Sequence, residues 1–501
     1  MDLFANLSLG FATAASPENL FFCLIGVILG TLIGVLPGIG ATATIAMLLP
    51  ITFQLEPVSS LIMLAGIYYG AQYGGSTTAI LINMPGESSS AVTAIDGYQM
   101  ARKGKAGTAL AVAALGSFFA GTVATLLVAL FAPPLTVIAL KFGAAEYFSL
   151  MLLGLVSAIA LAHGSILKAL AMVVLGLILG LVGTDIYTGT PRFTFGITEY
   201  ADGLSFVALA VGVFGIAEIL RNLEGEQDRT VLGTSLGGLF PSREDLRRMV
   251  APMLRGTAVG SVLGILPGGG AVLASFASYT IEKRLSDTPE EFGKGAIAGV
   301  AGPESANNAG AQTSFIPLLT LGIPANPVMA LMVGAMIIQG IVPGPNVASE
   351  QPELFWGIIA SMWIGNLMLI VLNLPLIGLW VKLLKVPYHV LFPVIMAFCS
   401  IGVYSVNSNV YDLYAVAFFG LMGYALLKLR CEPAPLLLGF VLGPMLEENL
   451  RRAMILGRGD PSIFVTRPIS LTLLLLTVAV LAVMLAPSIR KKRAEVFVEA
   501  D

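Results

Sequence analysis

Six short segments gather glycine, proline and small polar side chains in an otherwise apolar chain, and each reads as a break in the helices. In the first half they are Pro37-Gly-Ile-Gly40 followed by Thr42, Tyr73-Gly-Gly-Ser-Thr-Thr78, and Asn83-Met-Pro-Gly-Glu-Ser-Ser-Ser90. In the second half they are Pro267-Gly-Gly-Gly270, Gly302-Pro-Glu-Ser-Ala-Asn-Asn308 and Gly322-Ile-Pro-Ala-Asn326. Proline opens a helix readily, and Pro85-Gly86 ahead of Ser88, Ser89 and Ser90 offers backbone N–H groups and hydroxyls. A helix N-terminus of that kind attracts anions such as carboxylates. Ser76, Thr77, Asn83, Asn307, Asn308, Pro324 and Asn326 complete the candidate substrate contacts, the amides because they both donate and accept. The C-terminal end of a broken helix instead presents unpaired carbonyls that suit Na⁺. Gly38, Gly40 and Thr42, with Gly268 and Gly270, are the candidates for that role, and Glu304 joins them. Glu87 and Glu304 are the acidic residues of these clusters; each either holds a cation or proton or faces water at a helix end.

A packing role competes with each of these readings. Gly26, Gly30 and Gly34 recur at i, i+4 and i+8 and read as a small-residue face against another helix. Repeated Asn/Ser/Thr clusters need more than packing, because buried polar groups in a membrane cost free energy unless partnered. His163 and His389 stand alone near the ends of apolar runs and read as interfacial, not as metal ligands. Asp185 and Arg192 read as solvated.

The elements that position these residues are membrane helices. Of 501 residues, 56% are hydrophobic and 11% charged, against about 25% charged in a soluble domain. A net charge of −3 excludes a nucleic-acid binder built on a basic face. Cys23, Cys399 and Cys431 have no metal-type spacing. The N-terminus lacks the basic n-region of a signal peptide. Apolar runs are continuous, not alternating, which argues against a β-barrel. Runs at 41–50, 271–281 and 434–443 are too short to cross the bilayer and read as half-helices.

The fold class expected is therefore all-α: a polytopic membrane protein with two inverted-topology repeats and broken or re-entrant helices at their interface. The first repeat covers 1–221, a polar cytoplasmic linker 222–250, the second repeat 251–489 and a charged tail 490–501. Gly34-Val-Leu-Pro-Gly-Ile-Gly40 returns as Gly264-Ile-Leu-Pro-Gly-Gly-Gly270, Gly70-Ala-Gln72 as Gly310-Ala-Gln312, and Met84-Pro85 as Ile323-Pro324. No Lys or Arg precedes Arg102, which places the N-terminus outside and the Arg490–Arg493 tail inside. The stretch 131–146, with Pro133-Pro134, and the Arg-rich path 428–468 leave the span count open.

Inverted repeats with broken helices are the architecture of secondary transporters. The sequence has no phosphate-binding G-x-x-x-x-G-K-[S/T] loop, so an ion gradient is the natural energy source. Two alternatives stand beside this one. Tyr411-Asp412 and Gly457-Arg-Gly-Asp460 resemble the acidic pairs of intramembrane aspartyl proteases, although the third element of that family is missing. A passive channel is the other, without an evident filter motif.

The stretches GVLPGIGATATIAMLLPITF and AGIYYGAQYGGSTTAILINMPGESSSAVTAIDGYQMARKGKAG, with GVAGPESANNAG and IPLLTLGIPA in the second half, resemble the large membrane subunit of the bacterial tripartite tricarboxylate transporters. The match departs at Ala325-Asn326, where that family is expected to carry Gly-Ser, and this bears on the preferred substrate. The resemblance implies a non-enzymatic, multi-pass permease of the bacterial cytoplasmic membrane, with no cofactor beyond Na⁺ as a coupling ion. It implies two partners, a small membrane subunit of about four helices and a periplasmic solute-binding protein. The cargo would be citrate or another tricarboxylate or dicarboxylate, taken up by symport with Na⁺ or H⁺.

Overall fold

The computed structural model describes residues 3–36, 40–162, 165–224, 241–266, 270–383 and 388–485. Gly38, Gly268, His163, most of the linker and the charged tail lie outside the described residues, as does the side chain of His389. Helices dominate the described residues, beside a two-stranded ribbon pairing Gly183–Thr184 with Pro191–Arg192.

Leaving aside one-turn helices, the first half contains α1 (Leu3–Ala14), α2 (Pro17–Val35), α3 (Ala41–Thr52), α4 (Pro57–Ile82), α5 (Ala91–Arg102), α6 (Ala106–Ala139), α7 (Ala144–Leu161), α8 (Ile166–Gly180) and α9 (Phe206–Glu224). The second half contains α10 (Arg243–Gly264), α11 (Gly270–Leu285), α12 (Ala298–Thr313), α13 (Phe315–Leu321), α14 (Pro327–Ile338), α15 (Pro352–Asn373), α16 (Ile377–Leu383), α17 (Tyr388–Asn407), α18 (Val410–Lys428), α19 (Ala434–Leu456) and α20 (Pro468–Leu485). Among the described residues five helices, α2, α6, α9, α15 and α18, are long and apolar enough to cross a membrane.

Both halves open with the same device. Gly26, Gly30 and Gly34 of α2 press on the carbonyls of Met63, Ile67 and Ala71 of α4, and Gly256, Gly260 and Gly264 of α10 press on those of Gly302, Ala306 and Gly310 of α12. A Cβ at any of these six glycines would overlap the facing carbonyl oxygen. Small residues thus let the backbones approach closely, as the glycine spacing predicts for α2. The glycines are offset by 230 positions between halves and the carbonyls by 239. The Gly-Ala-Gln match, offset by 240, is one residue out of register with this packing. Met84-Pro85 and Ile323-Pro324 follow the packing offset. Each pair comes after a left-handed residue that ends the preceding helix, Asn83 (φ 57°) after α4 and Gly322 (φ 70°) after α13.

The halves are then crossed. Helix α4 rests on α15, with the Tyr73 hydroxyl donating to Asn366 Oδ1 at 2.6 Å. Helix α12 rests on α6, where Ala309 packs with Ala120 and Ala124 and Asn308 Nδ2 donates to Ser117 Oγ at 2.7 Å. Asp96 on α5 adds a polar tie, accepting from the backbone N–H groups of Gly293, Gly295 and Ala296 and from the Tyr279 hydroxyl.

Several expectations change here. The run 434–443 is not a half-helix: α19 continues through Pro444 to Leu456. Likewise α6 runs through Pro133-Pro134 as one 34-residue helix, so 131–146 adds no separate crossing. The short runs 41–50 and 271–281 do form short helices, α3 of 12 residues and α11 of 16. Helix enters both ends of the polar linker, to Glu224 and from Arg243. Asp185 is not solvated; it is buried and pairs with Arg451 at 2.9 Å and Arg192 at 3.6 Å. Arg467 pairs with Glu146 at 2.8 Å. The Asp185–Arg451 and Glu146–Arg467 pairs tie the 428–468 region to the first half. The Tyr187 N–H, then the Thr188 N–H and the Arg451 and Arg192 guanidinium groups, hold the Asp185 carboxyl below its ordinary value.

Candidate functional site

The two sets of breaks meet in the same way in both halves. The break after α2 faces the turn after α4: the Glu87 carboxylate accepts from the Ala41 N–H, the first residue of α3, and both its oxygens lie 3.4 Å from the Cβ position of Gly40. The break after α10 faces the turn after α13: Asn326 lies 3.6 Å from the Cβ position of Gly270, where α11 starts. Glu87 and Asn326 are separated by the same 239 positions as the packed carbonyls. The two helix N-termini are therefore met by different side chains, a carboxylate at α3 and a neutral amide at α11.

Around Glu87 the serines are largely spoken for. Ser89 Oγ donates to Gln72 Oε1 at 2.7 Å and Ser90 Oγ to the Glu87 carbonyl at 2.8 Å. Gly86 packs against the Gly34 carbonyl, and its N–H donates to Gly75 O at 3.4 Å. Asn83, Pro85 and Ser88 are exposed, and Thr42 is half-buried on α3. The second turn is buried throughout, Pro324 included. Asn326 caps α14 by accepting from the Met329 N–H at 3.0 Å, and its Nδ2 donates to the Tyr68 hydroxyl of α4 at 3.2 Å.

A third cluster joins the halves. Glu304 on α12 is fully buried. Its carboxylate accepts from Ser76 of α4 at 2.6 Å, from Thr93 of α5, and from Ser117 of α6 at 3.4 Å. Asn308 donates to Ser117 Oγ and to the Glu304 carbonyl, at 3.1 Å for the latter. Thr77 lies one residue on from Ser76 and donates weakly to Tyr73 O at 3.5 Å. Asn307 is fully buried, and neither polar atom of its side chain has a partner among the described residues. Glu304 thus sits with Ser76, Asn308 and Ser117, while Gly40 and Gly270 keep Glu87 and Asn326 beside them. Ser117, Thr93, Tyr68 and Asn366 are not among the residues that the motifs single out. Ser117 and Asn366 had a signal: each is a polar residue within a long apolar run, a place where such a residue usually has a job.

The family model for the tripartite tricarboxylate transporter TctA family matches residues 20–438. This chain belongs to that family. An uncharacterized 52.8 kDa protein from the TAR-I ttuC' 3' region of Agrobacterium vitis is 69% identical over 501 residues, the whole of both chains. An uncharacterized protein from the TAR-II ttuC' 3' region of the same organism is 69% identical over 242 residues, which is 48% of this chain and all of that protein. No solved structure matches. A family of transporter components is not a family of enzymes, and the acidic residues that resembled a protease pair have local partners. Asp412 accepts from Asn407 at 2.8 Å, and Asp460 accepts from the N–H and hydroxyl of Ser462.

Proposed function

We propose that this chain is the large permease subunit of a binding-protein-dependent secondary transporter. It moves citrate or a related carboxylate inward by symport with Na⁺ or H⁺. The observation that carries this reading is the asymmetry of the two broken-helix ends. A helix N-terminus holds partial positive charge and free N–H groups. At α3 the protein's own Glu87 already answers that charge, whereas at α11 the facing side chain is the neutral Asn326. A substrate carboxylate is attracted to the second end, where Asn326 lies 3.6 Å from the Cβ position of Gly270; Pro324 shapes that turn, and the unpartnered Asn307 and the Ser88–Ser90 turn are further candidate contacts.

The paired glycine contacts and crossed long helices support two repeats, here 1–221 and 251–489, inverted in the membrane with the N-terminus periplasmic and the C-terminus cytoplasmic. Alternating access would follow from motion of one repeat-derived unit against the other. The implied partners are a small membrane subunit and a periplasmic solute-binding protein of the cytoplasmic membrane system. The test is uptake of labelled citrate and a panel of carboxylates into proteoliposomes holding all three components, with and without an inward Na⁺ or H⁺ gradient. Uptake that needs both the gradient and the binding protein supports the reading. No gradient-dependent uptake of any carboxylate, with all three components folded, overturns it.

A further inference from the structure

Between α4, α6 and α15 lies a cavity with room for about one water-sized occupant. Tyr73, Ser76 and Thr77 line it from α4, Ser117 from α6 and Asn373 from the last turn of α15. Asn373 is 4% exposed. Its Nδ2 donates along its own helix to the Leu369 carbonyl at 3.0 Å, and its Oδ1 has no partner among the described residues. A buried amide oxygen left in this state is costly unless something in the cavity satisfies it.

We propose that a monovalent cation of Na⁺ size binds in this cavity, held by Asn373 Oδ1 and the hydroxyl oxygens of Ser76, Thr77 and Ser117, with its charge balanced by Glu304. The proton accounting allows this. The single Ser76 hydroxyl proton has its shorter contact to Glu304 Oε2, 2.6 Å against 3.0 Å to the Gln72 carbonyl, and that of Ser117 faces Glu304 Oε2 at 3.4 Å; Ser76 keeps its lone pairs for a cation, and Ser117, which accepts from Asn308, keeps one. Among the described residues, Glu304 accepts from hydroxyls and forms no ion pair with Lys, Arg or His, so no side-chain cation of the protein competes with an ion for its carboxylate. Asn373 is the final residue of α15, whose C-terminal end carries partial negative charge. The donors are neutral oxygens beside one carboxylate, a set for a hard cation and not for a transition metal. Protonation of Glu304 alone would leave the Asn373 oxygen unanswered.

The inference deepens the ion coupling proposed above and moves the ion away from the glycine breaks. It also gives the ion a mechanical link. Ser117 accepts from Asn308, so a cation on Ser117 braces α6 against α12, next to the unpartnered Asn307.

Cation binding is read on the full chain in detergent, apart from transport. NaCl is titrated against choline chloride at constant ionic strength, and intrinsic fluorescence is followed. Trp380 is the reporter, because its indole N–H donates to the Leu372 carbonyl at 2.8 Å, one residue before Asn373; a Trp380→Phe variant assigns the signal. Wild type should saturate with Na⁺. Asn373→Ala and Ser117→Ala should each weaken the apparent Na⁺ affinity about tenfold, about one lost ligand contact. Asn373→Asp keeps an oxygen in place and should bind at least as tightly as wild type. Unfolding temperatures of the Asn373 variants in choline chloride should stay near that of wild type, since the Asn373 side chain bonds only its own helix; Ser117→Ala, which also loses the Asn308 hydrogen bond, should unfold lower, so the Asn373 variants carry the test. Wild-type affinity in both alanine variants, or no saturable Na⁺ response in wild type, overturns the site. Na⁺-driven carboxylate uptake with unaltered affinities sinks the site and spares the transport reading. Na⁺ binding that follows the variants, without uptake of any carboxylate, does the reverse.

Discussion

Helices α3 and α11 begin at matching places in two similar halves, yet Glu87 meets one and Asn326 the other. The packing around them is nearly a copy: three glycines on three carbonyls, a left-handed helix end, then a hydrophobic residue and proline. A duplicated scaffold therefore holds two ends that differ by one charge. On the function proposed here, that charge would decide which end attracts an anion, because an internal carboxylate competes with a substrate carboxylate for the same N–H groups. The lesson is that matched glycine packing fixes the same backbone geometry twice, while a single side chain sets the charge at each end.

The largest effect tests the part that is the same. Gly30→Leu and Gly260→Leu each drive a side chain into a backbone carbonyl, and each should cost more than about 4 kcal/mol and abolish folded protein. Size-exclusion profiles of the two variants in detergent check this. A Gly260→Leu protein that runs as wild type would break the equivalence of the halves.

Next comes the part that differs. Asn326→Glu places a carboxylate at α11 as Glu87 stands at α3, and should weaken carboxylate uptake at least about 100-fold, roughly 2.7 kcal/mol. Asn326→Gln should cost far less. Uptake kinetics in proteoliposomes distinguish the two; equal losses would assign Asn326 to packing. Glu87→Gln keeps an oxygen to accept from Ala41 and loses only the charge, so it should cost about 1 kcal/mol of stability. Thermal unfolding of the purified chain measures that.

The smallest effect lies outside the breaks. Asp185 has its carboxyl lowered from its ordinary value of 3.8. Its contribution is thus fully present above that value and is lost as pH falls through the lowered one. Asp185→Asn should lower the unfolding temperature by a few degrees at most at neutral pH, and the gap to wild type should close on acidification below about pH 4. A gap that persists at low pH would assign the loss to geometry and not to charge.

Much of this arrangement was legible in the residues. The glycine spacing on α2 gave its packing face, and Pro37–Gly40 and Pro267–Gly270 marked breaks, because both are local signals; Tyr73–Thr78 and Gly302–Asn308, also read as breaks, instead lie inside the continuous helices α4 and α12, where close packing and buried polar partners hold the helix together. The partners across the fold were not legible. Asn366 and Tyr73 are 293 residues apart, and the carbonyls facing Gly256, Gly260 and Gly264 carry no sequence mark at all. The apolar run 434–443 read as too short to span, yet α19 continues through Pro444 to Leu456, since tertiary packing overrides a local breaker. The Arg-rich path from 428 was opaque because its acidic partners, Asp185 and Glu146, lie 266 and 321 residues away.

The crossing of the long helices has a consequence for biosynthesis. Tyr73 enters the membrane with α4, but Asn366 is made 293 residues later. At roughly 5–20 residues per second, the ribosome needs on the order of 15–60 s to supply it. For that interval the first half sits in the bilayer with the partner face of α4 unmatched, and Ser117 on α6 likewise awaits Asn308. Until its second half arrives these polar contacts stay unmade, and a chain halted before α15 lacks the Asn366 partner of Tyr73.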